Sequence, residues 1–167
     1  MSSKDHSFDA VSEVNMQEVD NAVEQAKKEL AQRFDFKGSS STLELDKTLK
    51  TITLKTENEF RLKTLVDLLQ TKCVKRAVSL KSLQMGKLET GMIGGSVKQV
   101  VSIQNGIGQD KAKEIVKFVK DLKMKVQAQI QSDQVRVQAS KIDDLQIVIQ
   151  ALRKQDFGLD LQFVNFR

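Results

Sequence analysis

Apolar residues recur along this 167-residue chain in two alternating rhythms, and the rhythms follow one another in the same order in each half. Phe8 to Val14 is apolar and strand-capable. Asn15 stands three residues before Glu18, an Asn form of the capping box. Val19, Ala22, Val23, Ala26 and Leu30 then recur at helical spacing to about Arg33. Gly38 and the run Ser39-Ser40-Ser41 break that helix. Thr42 to Leu45 and Thr51 to Leu54 alternate around Asp46-Lys47 and predict a hairpin. Thr56 and Glu59 read as a second capping box, before a helix carrying Phe60, Leu62, Leu65, Val66, Leu68 and Leu69. A weaker strand is expected between Ala77 and Leu83.

The second half repeats this order. Val97 to Gln104 reads as a strand, and Gly106-Ile107-Gly108 precedes a helix from about Gln109 to Leu122. Val126 to Ile130 and Val135 to Ala139 alternate strictly around Ser132-Asp133, a hairpin signal. Ser140 and Asp143 read as a capping box for a helix through about Arg153, and Leu161 to Phe166 as a closing strand. Between the halves, Gly86 to Gly95 holds four of the chain's eight glycines and reads as a linker or mobile loop.

The predicted fold is therefore α+β: two ferredoxin-like βαββαβ sandwiches in tandem, residues 1–90 and 91–167. Units this short have small cores, so either close domain packing or exchange of a terminal strand between the halves is expected. The first strand is left open to pair with the other domain.

In this architecture the helices cover one sheet face and leave the other open, and strand parity assigns the faces. Gln127, Gln129 and Gln131, with Gln134, Arg136 and Gln138, point away from the helices. Lys98, Ser102 and Gln104 fall on the same side if Val97, Gln99, Val101 and Ile103 face in. Amides donate and accept toward base edges, and Lys98 and Arg136 can hold phosphate. In the last strand Phe163 and Phe166 have opposite parity, so a regular strand exposes one of them as a stacking surface beside Arg136. The bland reading is a solvated polar face. The first unit's open face, with Asp9, Glu13 and Glu44 against Lys55, should repel phosphate. Neither third strand holds an aromatic, so base stacking in the manner of an RNA-recognition module is not expected.

Composition narrows the chemistry. The net charge is +5, +1 in residues 1–90 and +4 in residues 91–167, which suits an anionic partner. Lys113, Lys117 and Lys120 share one arc of their helix, either a solvated back face or an auxiliary phosphate stripe. Cys73 is the only cysteine and His6 the only histidine, too few for a zinc site or a disulfide. No P-loop, signal peptide or membrane-length apolar run is present. The expectation is a cytoplasmic, cofactor-free protein that binds rather than catalyses.

Several segments together resemble the YajQ family of bacterial nucleotide-binding proteins: SFDAVSEVNMQEVDNAV (7–23), RFDFKG (33–38), KVQAQIQSDQVRV (125–137), DDLQ (143–146) and LQFVNFR (161–167). Their order and spacing cover essentially the whole chain. The resemblance implies tandem RNP-like domains and a non-enzymatic nucleotide-binding role. Some members are cyclic-di-GMP effectors that influence transcription, so a cyclic dinucleotide and a transcription regulator join the expected partners. The alternatives are an RNA-binding protein using the open sheet face and a protein-interaction adaptor. Arg33, Phe36 and Lys37 join the candidate contacts through the RFDFKG segment, alongside a structural reading in which RFDF packs the domains. The chain departs from the family at Ser132, where Gly is usual, at Ile142, where a basic residue is usual, and at Asp160, where Pro is frequent.

Overall fold

A computed structural model describes residues 5–91 and 95–167. It contains eight strands and four helices among those residues: β1 (His6–Val11), α1 (Met16–Gln32), β2 (Thr42–Asp46), β3 (Thr51–Thr56), α2 (Glu59–Lys75), β4 (Leu83–Glu89), β5 (Val97–Ile103), α3 (Gln109–Asp121), β6 (Val126–Gln131), β7 (Gln134–Ala139), α4 (Ile142–Lys154) and β8 (Gln162–Val164). The strands form two four-stranded antiparallel sheets, ordered β6-β7-β1-β8 and β2-β3-β5-β4. Each has the strand arrangement of a ferredoxin-like sandwich.

The sheets are assembled by a reciprocal exchange. The chain divides into one unit of residues 1–13 and 105–167 and another of residues 14–104, not at residue 90. Strand β1, first in the chain, sits between β7 and β8. Strand β5 takes the matching place between β3 and β4. The central position shows in β1, where Ser7 to Val11 are buried without a break. A strand buried on both faces needs a central position. The larger unit is thus an insertion in the chain of the smaller, and the two crossing segments are tied where Gly106 N–H donates to the Ser12 carbonyl at 2.6 Å.

In the unit of residues 1–13 and 105–167, Phe8, Ala10, Val135 and Val137 meet Ile115, Val119, Val148 and Leu152 of α3 and α4 in one core. In the unit of residues 14–104, Leu43, Ile52, Leu54 and Val101 meet Val19, Val23, Leu65 and Leu69 of α1 and α2. The face parity read from the sequence holds in both sheets.

Four local expectations change. The glycine-rich segment from Gly86 is not a linker at its start: Gly86 to Glu89 belong to β4, paired with β5. Residues 92–94 lie outside the described residues. Gly86 sits at an irregularity between Met85 and Leu88, where a Cβ would come within 2.5 Å of the Val100 carbonyl oxygen; only glycine allows that approach. The strand expected between Ala77 and Leu83 begins at Leu83 instead, after a 3₁₀ turn over Leu80–Ser82. The cap of α2 is Asn58, whose side chain accepts from Arg61 N–H at 2.8 Å. The cap of α4 is Lys141, while Ser140 Oγ donates to Asp5. At α1 the Asn15 side chain accepts from both Gln17 and Glu18 N–H, as its spacing predicts.

Candidate functional site

The segment after α1 concentrates the chemistry. Extended backbone at Arg33 ends the helix, and a 3₁₀ turn follows over Phe34–Phe36. Three residues per turn put adjacent side chains on different sides. Phe34 is therefore thrown into solvent, 86 % exposed, while Phe36 is 5 % exposed. Two guanidinium groups lie over the buried ring, Arg33 at 5.8 Å and Arg61 at 5.5 Å from its centroid, both in cation–π contact with it. Arg33 is itself oriented by Asp35, with Nε and Nη2 donating to the two carboxylate oxygens at 2.9 and 2.8 Å. The Arg33 bond holds the Asp35 carboxyl below its ordinary range and raises the guanidinium in turn.

The serine run beyond Gly38 closes around Glu57. Ser39 Oγ donates to its carboxylate at 2.7 Å and the Ser40 N–H at 2.6 Å. Thr56 Oγ1 adds a bond at 3.2 Å, and Arg61 lies 3.6 Å away. The Ser39 bond is the largest cause that brings the Glu57 pKa down to about 2. Lys37, Gly38 and Ser39 form the rim shared by two depressions. One, of about 460 Å³, reaches Lys27, Phe36 and Glu44; the other, of about 280 Å³, reaches Glu57, Asn58 and Arg61. Lys37 is exposed and meets no carboxylate among the described residues. An exposed ring three residues before an unpaired ammonium offers stacking and phosphate contacts together, and Arg61, over Phe36, borders the smaller depression that Lys37 also lines. A larger depression, about 750 Å³, flanks α4 at Ile147, Gln150 and Arg153. It holds none of the sequence candidates.

The open-face candidates do not form one cluster. Lys98 is on β5, in the unit of residues 14–104, opposite Lys55 and Glu89 in register and 3.8 Å from the Glu89 carboxylate. It does not share a sheet with Arg136. Its arrival, with the departure of β1 carrying Asp9, also removes the acidic face expected of the first half. The unit of residues 14–104 carries 15 Lys and Arg against 11 Asp and Glu, the other 12 against 11. The basic excess thus lies with the unit of residues 14–104, not with the C-terminal half.

Gln127 and Gln129 are exposed on β6, and Gln129 Nε2 donates to Gln138 across the strands at 3.4 Å. Arg136 stands between Gln129 and Asp9 in register. Its guanidinium is committed to Asp9, Nε donating at 2.8 Å and Nη2 at 3.3 Å. Asn165 supplies a third bond to that carboxylate, at 2.9 Å. Phe163 joins the helix-side core, edge-on to Phe8 at 5.7 Å. Asn165, at φ 55°, breaks the regular alternation, so Phe166 also turns to the Phe8 ring, 6.2 Å away, with 62 % of its surface exposed. The outward residue of β8 opposite Asp9 is Val164 rather than a phenylalanine.

Cys73 is fully buried, and burial pushes its thiol up to about 11, so the nearby lysines do not activate it. The His6 ring lies 3.2 Å from the Arg167 carbonyl oxygen. Sequence reading missed Phe34, Glu57 and Arg61. Phe34 was signalled by its place in RFDFKG. Glu57 and Arg61 lie some twenty residues on, and nothing in their local pattern ties them to that segment.

A model of the YajQ family, described as nucleotide-binding protein YajQ-like, matches residues 6–167. A protein of Geotalea daltonii named nucleotide-binding protein is 57 % identical over 161 residues, 96 % of this chain and 98 % of its own. Similarly named proteins of Desulfitobacterium hafniense and Carboxydothermus hydrogenoformans are 55 % identical over 164 residues and 53 % identical over 163. The first aligns over 98 % of this chain and 99 % of its own, the second over 98 % of both. With this similarity end to end, the chain belongs to the YajQ family.

Proposed function

We propose that this protein binds a nucleotide at the turn after α1 and acts in the cytoplasm by binding rather than by turnover. The observation that carries the reading is Phe34, an almost fully exposed ring on the same 3₁₀ turn as the unpaired Lys37. A base stacks on Phe34, and Lys37 and Arg61 take phosphate oxygens. The stack of Arg33, Phe36 and Arg61 holds the turn rigid, which keeps the entropic cost of binding low. The relatives' names, nucleotide-binding protein, support the same ligand class. Binding without turnover is supported by the burial of Cys73 and by the engagement of the His6 ring with a backbone carbonyl.

Within that class a cyclic dinucleotide, cyclic-di-GMP, is the first ligand to test, with transcription as the process it reports to. Calorimetric titration with cyclic-di-GMP, GTP, ATP and a short single-stranded RNA is the direct test. Micromolar binding of one of the three nucleotides supports the reading. No binding to any of the four leaves a protein-interaction adaptor in its place.

A further inference from the structure

Helix α3 presents a second cationic feature, in the unit that does not contain the turn. Lys113, Lys117 and Lys120 are all exposed, while Ala112, Ile115 and Val119 are buried in the core. Spacings of four and three residues place the lysines on one face, rising about 6 and about 4.5 Å along the axis. None of the three meets a carboxylate among the described residues; the helix's one ion pair there joins Lys111 to Glu114 at 3.5 Å. Lys123 and Lys125 continue the run past the helix end, both exposed and also without a carboxylate partner. From Lys111 to Lys125 there are six lysines, against Glu114 and Asp121, with Asp110 just before. Like charges at these spacings repel, and Asp110, Glu114 and Asp121, three or four residues from Lys113 and Lys117, offset that repulsion within the helix.

The exposed face also lacks an apolar wedge. Phe118 packs edge-on to Phe157 at 5.5 Å, and Val116 is half-buried against the core. A helix that inserts into a membrane surface needs such residues outside. Ammonium groups are compact charges without the bidentate geometry that selects one acceptor. A file one charge wide follows a single phosphate chain rather than two across a groove. We propose that the α3 lysine ladder is a second binding surface, which tracks the phosphodiester backbone of a single-stranded nucleic acid without reading its bases.

The test is fluorescence anisotropy of labelled oligouridylate and of a mixed-sequence single strand over a series of salt concentrations. The full chain is compared with the triple variant Lys113→Gln, Lys117→Gln, Lys120→Gln. Wild type should bind both strands alike, with log affinity falling linearly as log salt rises. The triple variant should lose about 2 from the magnitude of that slope, with binding at low salt down at least about tenfold. Its melting temperature should be unchanged, since the side chains are exposed. Phe34→Ala should leave the slope intact, so failure at the nucleotide turn and failure here are separately visible. No strand binding by wild type, or an unchanged slope in the triple variant, overturns the proposal. So does a ladder whose removal abolishes binding to phosphatidylserine vesicles while strand binding survives.

Discussion

Arg136 donates two hydrogen bonds to the carboxylate of Asp9, 127 positions away in the chain. The pair secures β1 in the middle of its sheet, since Asp9 and Arg136 face each other in register and Asp9 is only 1 % exposed. It also removes the one guanidinium that the glutamine face would have offered to phosphate.

That pair predicts an acid-range signature. The Arg136 bond is the first cause holding the Asp9 carboxyl below its ordinary value. A lowered folded-state pKa gives stability that is complete above the unfolded value and lost as pH falls through the folded one. Asp9→Asn should therefore melt at a lower temperature near neutrality. Its melting temperature should then fall less steeply than wild type below about pH 4. Parallel acid limbs in thermal melts of the two proteins would contradict this.

Glu57 should act in a wider window. Its pKa falls from the usual 4.5 to about 2, so its contribution is whole above about pH 4.5 and drains as pH approaches about 2. A third of the side chain is in solvent, so screening reduces the stabilisation to about 1 kcal/mol. Glu57→Gln should cost about that much in urea melts at neutral pH and almost nothing near pH 2. A deficit that persists in acid would point to lost packing instead of lost charge.

Two positions around the β6–β7 hairpin should respond in opposite directions. Gly106 has φ 94°, and a Cβ there would come within 2.7 Å of Asp133 Oδ2. Gly106→Ala should destabilise by about 1–3 kcal/mol. Ser132, at φ 57°, occupies the left-handed region without being glycine. Ser132→Gly should be neutral or stabilising by up to about 1 kcal/mol. Chemical denaturation of both variants checks the pair of signs.

Phe34 and Phe36 should separate binding from stability. Phe36→Ala empties a buried site and should cost about 3 kcal/mol. Phe34→Ala, on an exposed ring, should leave stability within ~0.5 kcal/mol of wild type. The same change should weaken nucleotide binding about tenfold. Equal effects of the two substitutions on melting would contradict the placement of Phe34.

Helical and alternating periods disclosed the four helices, the β2–β3 and β6–β7 hairpins and the helix-facing side of β1, β2, β3, β5, β6 and β7, because these depend on residues close in sequence. The YajQ resemblance was legible in the same way, from short ordered segments. The exchange of β1 and β5 was not, because pairings such as Asp9 with Arg136 are decided by distant strands competing for one sheet position. The segment HSFDAV alternates like an ordinary half-buried strand, and the burial of Ser7 and Asp9 appears only once the sheet is formed. Strand β4 was displaced in the reading because Gly86 resembles a linker glycine, while its role is to let the Val100 carbonyl approach. Among the candidate contacts, Arg33, Phe36 and Lys37 come together with Arg61 and Glu57, which only folding brings to them. Lys98 and Arg136 fall on different sheets.

The most direct test of the nucleotide turn is calorimetric titration of the tightest-binding nucleotide into wild type, Phe34→Ala and Lys37→Gln at near-physiological salt. Binding to wild type that weakens about tenfold in each variant, with melting temperatures unchanged, is the predicted result. Nucleotide binding that neither substitution alters would place the ligand elsewhere and contradict the assignment.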